Sequence, residues 1–233
     1  MTRDQLIGEI RKFRNADLSD GMDALGLVDK GTMCQAMRPL RPGMEFKGYA
    51  YTVQLLPKQD GVVKCESVAQ WREELGKGCE DIYRFVGGIT AETAKDMVVV
   101  IDMGGVVGGV WGSEIAMNTM IRGISGAVID GGCRDSYETN LENANVFCTR
   151  RTFVHAYGRV TFGGTNLPVN CGGVLVKPGD IICADDDGVL VIPYECAEDV
   201  LKFARMQLED DIKTRGEHYR KLGFKPDDTL SRL

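Results

Sequence analysis

Arg134 and Asp135 are the residues whose types and placement suit chemistry best. They follow an apolar run, Ala127-Val128-Ile129, that ends in Asp130 and continues into Gly131-Gly132-Cys133. A second apolar run, residues 97–101, ends in Asp102 and opens into the glycine-rich stretch 104–112. Two buried strands, each finishing in a glycine loop with charged groups, are how an α/β protein builds a site at its strand ends. Asp135 offers a hard cation one carboxylate oxygen and leaves the other positions to water and substrate. Arg134 offers a planar fork that holds a carbonyl or carboxylate oxygen. Gly112, Ser113, Glu114, Ile115 and Ala116 read as the start of a helix, whose free amides and positive dipole end favour a small carboxylate. Ser113 serves equally well as a helix cap.

Other chemistries find less support. There is no Gly-Lys-Ser/Thr after the glycines, and their spacing is not Gly-x-Gly-x-x-Gly, so a nucleotide loop is excluded. Eight cysteines form no Cys-x-x-Cys pair and there are two histidines, which argues against zinc. A metal here is expected to be Mg²⁺ or Mn²⁺, held by carboxylates and water. Cys133 has no base placed near it in sequence, and His155, a single histidine without a visible partner, reads as structural. Lys64, Lys95 and Lys177 have nothing in their context to suggest a Schiff base. Asp185-Asp186-Asp187-Gly188 lacks the alternating ligands and distal Glu of a calcium loop and reads as a solvated turn.

The elements that must position these groups follow from periodicity. Helices are expected over 2–26, one across residues 2–15 and a second capped by Asp17-Leu18-Ser19-Asp20. A strand and turn around Pro39 and Pro42 precede a strand over 48–56. Residues 60–94 carry helical signals broken by glycines; Trp71, Tyr83 and Phe85 could pack under a lid or an interface, and an ordinary connection is the preferred reading over a lid. Short strands separated by turns follow over 167–193, then a charged helix over 197–222. The chain is long enough for its own core and is expected to form one domain over 1–233. A net charge of −6 with scattered basic residues argues against a nucleic-acid surface. The charged start and the lack of any apolar run near 20 residues predict a cytoplasmic protein with no membrane partner.

Three blocks together resemble the RraA-like family, which includes the regulator of ribonuclease activity A and the 4-hydroxy-4-methyl-2-oxoglutarate/4-carboxy-4-hydroxy-2-oxoadipate aldolases. The first is Pro39-Leu40-Arg41-Pro42-Gly43 with Gly48-Tyr49-Ala50-Tyr51-Thr52-Val53. The second runs from Trp111-Gly112 through Gly123-Ile124-Ser125-Gly126-Ala127-Val128-Ile129-Asp130-Gly131 to Arg134-Asp135. The third comprises Gly172-Gly173-Val174, Pro178-Gly179-Asp180 and the run from Asp185 to Pro193. The resemblance implies an α/β/β/α swivelling-domain fold with terminal helices, assembled as a homotrimer or a dimer of trimers. It implies a metal-dependent (class II) aldolase or decarboxylase acting on a 2-oxo acid through pyruvate enolate. By this likeness Asp135 is the Mg²⁺ or Mn²⁺ ligand, Arg134 polarises the keto oxygen, and the amides of residues 113–116 hold the pyruvyl carboxylate. Glu114, and Glu209 or the adjacent Asp210 from a neighbouring subunit's terminal helix, would reach the metal through water. The family's acid directly after Trp-Gly is here Ser113 followed by Glu114, and which of them takes its place stays open. The 66–90 segment is also longer than the family pattern. A non-enzymatic protein-binding regulator and a sugar-acid lyase on the same scaffold are the alternatives.

Overall fold

The structure, a computed structural model, describes residues 1–232. In chain order the helices are α1 (Arg3–Ile10), α2 (Asn15–Ala24), α3 (Val68–Ile82), α4 (Ala91–Ala94), α5 (Ser113–Arg122), α6 (Ser136–Leu141) and α7 (Ala197–Leu222). The strands are β1 (Arg38–Pro39), β2 (Phe46–Pro57), β3 (Met97–Asp102), β4 (Gly109–Trp111), β5 (Gly126–Cys133) and β6 (Val146–Arg151). They continue with β7 (Val160–Thr165), β8 (Val169–Cys171), β9 (Val174–Val176), β10 (Ile181–Asp185) and β11 (Gly188–Ile192).

Val98–Ile101 and Ala127–Ile129 are wholly buried, the continuous apolar pattern of strands covered on both faces. They form the middle of one mixed sheet, ordered β1-β6-β5-β3-β2-β10-β11, with β4 alongside β5 and β7 alongside β2. The β2, β3, β5 and β6 pairings are parallel and β10 joins β2 antiparallel. Arg38 on one edge strand donates to the Asp187 carbonyl beside β11 on the other (2.9 Å), so the sheet curls until its edges nearly meet. The two β layers expected from the family resemblance are thus two halves of one curled sheet. β8 and β9 form a separate hairpin.

The terminal helices lie together, where Leu6, Ile10, Phe13, Leu18, Val200 and Ala204 bury against Ile181 and Ile192 of the β10–β11 hairpin. Fully burying one such large side chain contributes about 1.5–3 kcal/mol. Helix α7 spans the expected residues, but the N-terminal pair differs from expectation. Helix α1 stops at Ile10, and α2 begins at Asn15, before the expected Asp17 cap. The Arg14 backbone amide donates to Asp17 Oδ2 (2.9 Å), and its guanidinium pairs with the same buried carboxylate. Asp17 is therefore the third helical residue, whose carboxylate accepts the amide of the cap residue Arg14, and not the cap itself.

Gly131-Gly132-Cys133 also departs from the expected loop. These residues stay in β5, because β6 pairs with Gly132 and Cys133 on one side and β4 on the other. The charged pair consequently starts immediately at a strand end, with no slack between it and the core.

Candidate active site

Arg134 is held by its backbone. Its amide donates to the Trp111 carbonyl at 2.8 Å, tying the end of β5 to β4. Asp135 then turns left-handed (φ 50°), a conformation that Asp and Asn tolerate better than other non-glycine residues. It occupies the N-cap position of α6 but makes no side-chain cap, so its carboxylate is left for other partners. Arg134 Nε donates to Asp135 Oδ1 at 3.1 Å, and both side chains remain about one-third exposed.

Helix α5 begins beside them. Gly112 is its cap residue, and the Ala116 amide already donates to the Gly112 carbonyl (3.0 Å). That leaves Ser113, Glu114 and Ile115 with free first-turn amides and removes Ala116 from the expected anion seat. Ala116 is instead a core residue. Ser113 does not cap the helix. Its hydroxyl donates to Glu142 Oε1, and the other Glu142 carboxylate oxygen is buried without a partner.

Arg134, Asp135, Gly112, Glu114 and Ile115 line a cavity of about 460 Å³. The same cavity is lined by Asn118, His155, Leu75, Cys79, Tyr83 and Val86. Of these the sequence singles out His155, as structural, and Tyr83, as a residue that could pack under a lid; Asn118, Leu75, Cys79 and Val86 it does not. Leu75, Cys79 and Tyr83 recur every four residues along α3 and just past its end, a stripe whose inner face was the available signal. The 66–90 segment therefore walls the site, contrary to the preferred reading as a mere connection. It is pinned by Trp71 packed edge-on against Tyr157 (5.3 Å), by Thr161 Oγ1 donating to Asp81 (2.6 Å) and by Tyr51 donating to the Phe85 carbonyl (3.0 Å).

Glu209 and Asp210 are exposed on α7, and no α7 residue lines this cavity. Asp130 and Asp102 serve the backbone: Asp130 Oδ2 accepts from the Gly172 amide (2.9 Å) and Asp102 Oδ1 from the Gly104 amide (2.7 Å). Cys133 is buried and its thiol is pushed far up by desolvation, which fits no nucleophile. Lys95 and Lys177 pair with Asp4 and Glu195 away from the cavity.

Gly112 leaves room for the Arg134–Asp135 pair. A methyl group there would lie 2.6 Å from Asp135 Oδ2 and 3.1 Å from Arg134 Cγ. Its φ of −154° suits any residue, so the constraint is purely steric. On the expectation that Asp135 holds the ion, Gly112→Ala should weaken Mn²⁺ binding by about tenfold or more, as supporting-residue changes do at metal sites. The melting temperature should stay close to wild type; calorimetric titration and thermal unfolding check the two halves.

His155 is half-buried, and its Nδ1 accepts the Tyr157 amide proton at 2.7 Å. Neutral imidazole then carries its proton on Nε2, as a donor. Burial first, then the charges of Arg134 and Arg159, lower its pKa, while Asp135 opposes them. A lowered histidine means the unfolded chain binds the proton more readily. The resulting stability is fully present above the ordinary value of about 6.5 and is lost as pH falls below it toward the folded value. The melting temperature should therefore drop more steeply between pH 7 and 5 in wild type than in His155→Asn, which keeps an acceptor but cannot titrate.

The residues fit a hard divalent ion bound through few protein ligands. Asp135 and Glu114 share one cavity, and among the described residues no cluster of three His, Cys, Asp or Glu side chains could enclose a metal by itself. Mg²⁺ is commonly held in this way, by one or two carboxylates with water and substrate completing the shell.

The curled α/β sheet thus gathers a guanidinium, two carboxylates and a helix N-terminus at one cavity. The chain belongs to the RraA-like family: the Aldolase/RraA profile matches residues 15–191. It is 32% identical over 216 residues to protein DlpA of Legionella pneumophila, which covers 91% of this chain and 32% of DlpA. A Halalkalibacterium halodurans protein provisionally named 4-hydroxy-4-methyl-2-oxoglutarate aldolase is 36% identical over 116 residues, 50% of this chain and 55% of that protein. The chain thus spans about a third to a half of the length of these curated relatives. An uncharacterised Pseudomonas syringae protein shares the fold with a TM-score of 0.74 at 23% identity, covering 95% of this chain and 94% of its own. So does an unusual Streptomyces coelicolor member of the RNase ES inhibitor RraA family, with a TM-score of 0.71 at 22% identity, covering 91% and 96%. No described helix is long and apolar enough to cross a membrane.

Proposed function

We propose that the chain is a divalent-metal-dependent carbon–carbon lyase that cleaves a 2-oxo acid by way of pyruvate enolate. The observation that carries this reading is the Arg134–Asp135 pair at the end of β5, opening into one cavity with the free amides of α5. Family relatives provisionally named as aldolases support the reaction class.

The substrate's 1-carboxylate would sit on the amides of Ser113, Glu114 and Ile115, where the helix dipole favours an anion. Arg134 would donate to the 2-oxo oxygen, its fork stabilising the charge that grows there as the C3–C4 bond breaks. In a retro-aldol step the 4-hydroxyl becomes a carbonyl, and a proton ends on C3 to release pyruvate. His155, through Nε2–H, would add a neutral donor to the cavity. Asp135 would hold the Mg²⁺ or Mn²⁺ ion, with Glu114 reaching it through water, and the ion when bound would supply Lewis-acid stabilisation of enolate charge. The decisive assay couples pyruvate release to NADH oxidation for oxaloacetate and 4-hydroxy-2-oxo acids, with Mg²⁺ or with EDTA. Turnover that EDTA abolishes is expected. No turnover on any of them would leave a binding role, like that of the RNase inhibitors sharing the fold.

A second copy of the chain would complete the assembly, as a homotrimer or a pair of trimers. Beside the cavity, Met117, Met120 and Ile121 of α5, Tyr137 and Leu141 of α6, and Phe153 are exposed, Ile121 to 87% and Phe153 to 93%. Monomers rarely leave so much apolar surface in one region. Glu209 or Asp210 of a neighbouring α7 would then reach the site. Ile121→Glu is expected to yield monomers by light scattering and to lower pyruvate release with them; unchanged mass would remove this face from the interface.

A further inference from the structure

The cavity lining divides by origin. Its charged groups, Arg134, Asp135 and Glu114, come from the end of β5 and the start of α5, while Leu75, Cys79, Tyr83 and Val86 come from the long 66–90 segment. Ile115 adds to the apolar part. Desolvation raises both the Cys79 thiol and the Tyr83 hydroxyl, as expected beside a poorly hydrated wall.

Among the described lining residues Arg134 is the one permanent cation, and its partner is Asp135. Two nearby guanidinium groups have other partners. Arg122 donates to Asn118 Oδ1 (3.1 Å) and the Ile89 carbonyl (2.9 Å), and Arg159 to the carbonyls of His155 and Tyr157 (both 3.1 Å). His155 is held toward its neutral form. A substrate anchored by its 2-oxo acid head therefore sends the rest of its carbon skeleton toward aliphatic, thiol and aromatic surface. Against this chain's own lining a second carboxylate would lose water without gaining a cation, whereas a hydrocarbon group would gain by burial.

We infer that this site selects 2-oxo monocarboxylic acids with an apolar or aromatic distal group over 2-oxo dicarboxylates, with Leu75, Cys79, Tyr83 and Val86 as the specificity wall. The inference rests on the 2-oxo acid lyase reading of the same cavity, and binding can be separated from turnover. 2-Oxo-4-phenylbutanoate and 2-oxoglutarate share the anchoring head and lack the 4-hydroxyl that retro-aldol cleavage needs. With Mg²⁺ present, calorimetry should show the phenyl compound binding about tenfold or more tightly. Leu75→Arg, which places a cation in the wall, should reverse that order. Equal or tighter binding of 2-oxoglutarate to the wild type would overturn the inference, as would an unchanged order in Leu75→Arg.

Pyruvate release from the matching 4-hydroxy compounds keeps the two ideas apart. Release from the dicarboxylate alone would overturn the selectivity and leave the lyase reading standing. Selective binding with no pyruvate from either compound would do the reverse. Failure of both compounds to bind, with no pyruvate from their 4-hydroxy counterparts, would remove both.

Discussion

Asp135→Asn should abolish metal-dependent pyruvate release while leaving the fold intact. Asparagine matches aspartate in size and is among the few side chains that accept the left-handed backbone at this position (φ 50°). The Thr139 amide and hydroxyl both bond the Asp135 main-chain carbonyl (2.9 Å each), a contact that the substitution leaves in place. What changes is the charge offered to a divalent ion. Losing Lewis-acid help worth several kcal/mol corresponds to a fall of about a thousandfold in kcat. Calorimetric titration with Mn²⁺ should show binding lost, and circular dichroism should show wild-type secondary structure. Full activity of this variant in metal-stripped buffer would sink the lyase proposal.

Arg134→Ala should lower kcat by about a hundredfold to a thousandfold, the usual cost of removing one donor from a developing oxyanion. Mn²⁺ binding should persist, because the Asp135 carboxylate remains and loses only a competing partner at 3.1 Å. The Arg134 main chain keeps its bond to the Trp111 carbonyl, so the strand end should not move. Arg134→Lys distinguishes charge from geometry: a point charge cannot reproduce the fork, so activity should recover only in part. A variant whose KM alone rises, with kcat unchanged, would mean that Arg134 binds the ground state and does not assist bond cleavage.

Much of the site was legible in the chain because it is local. Arg134 and Asp135 are adjacent, follow a strand with a buried apolar run, Ala127-Val128-Ile129, and need no distant partner to be noticed. Gly112 to Ile115 were equally visible, since a helix start after a glycine has free amides wherever it sits. Ala116 was wrongly included; one residue decides whether an amide is free or already bonded inside the helix. His155 was seen and set aside as structural. Its place opposite Arg134 depends on Gly109, whose amide bonds the Val154 carbonyl (2.7 Å), a pairing across 45 residues that no window of sequence contains.

The order of apolar runs and glycine breaks by itself determined an α/β chain with terminal helices and a charged pair at the end of a buried strand. It did so because strand and helix periods, and the needs of tight turns, are written residue by residue. Tertiary structure alone decided that Gly131–Cys133 remain in the sheet, that Ser113 bonds Glu142 instead of capping its helix, and that residues 75–86 wall the cavity. Each of these rests on a partner far along the chain. Which distant groups meet is set by how the sheet curls and where α3 is pinned, not by any local preference.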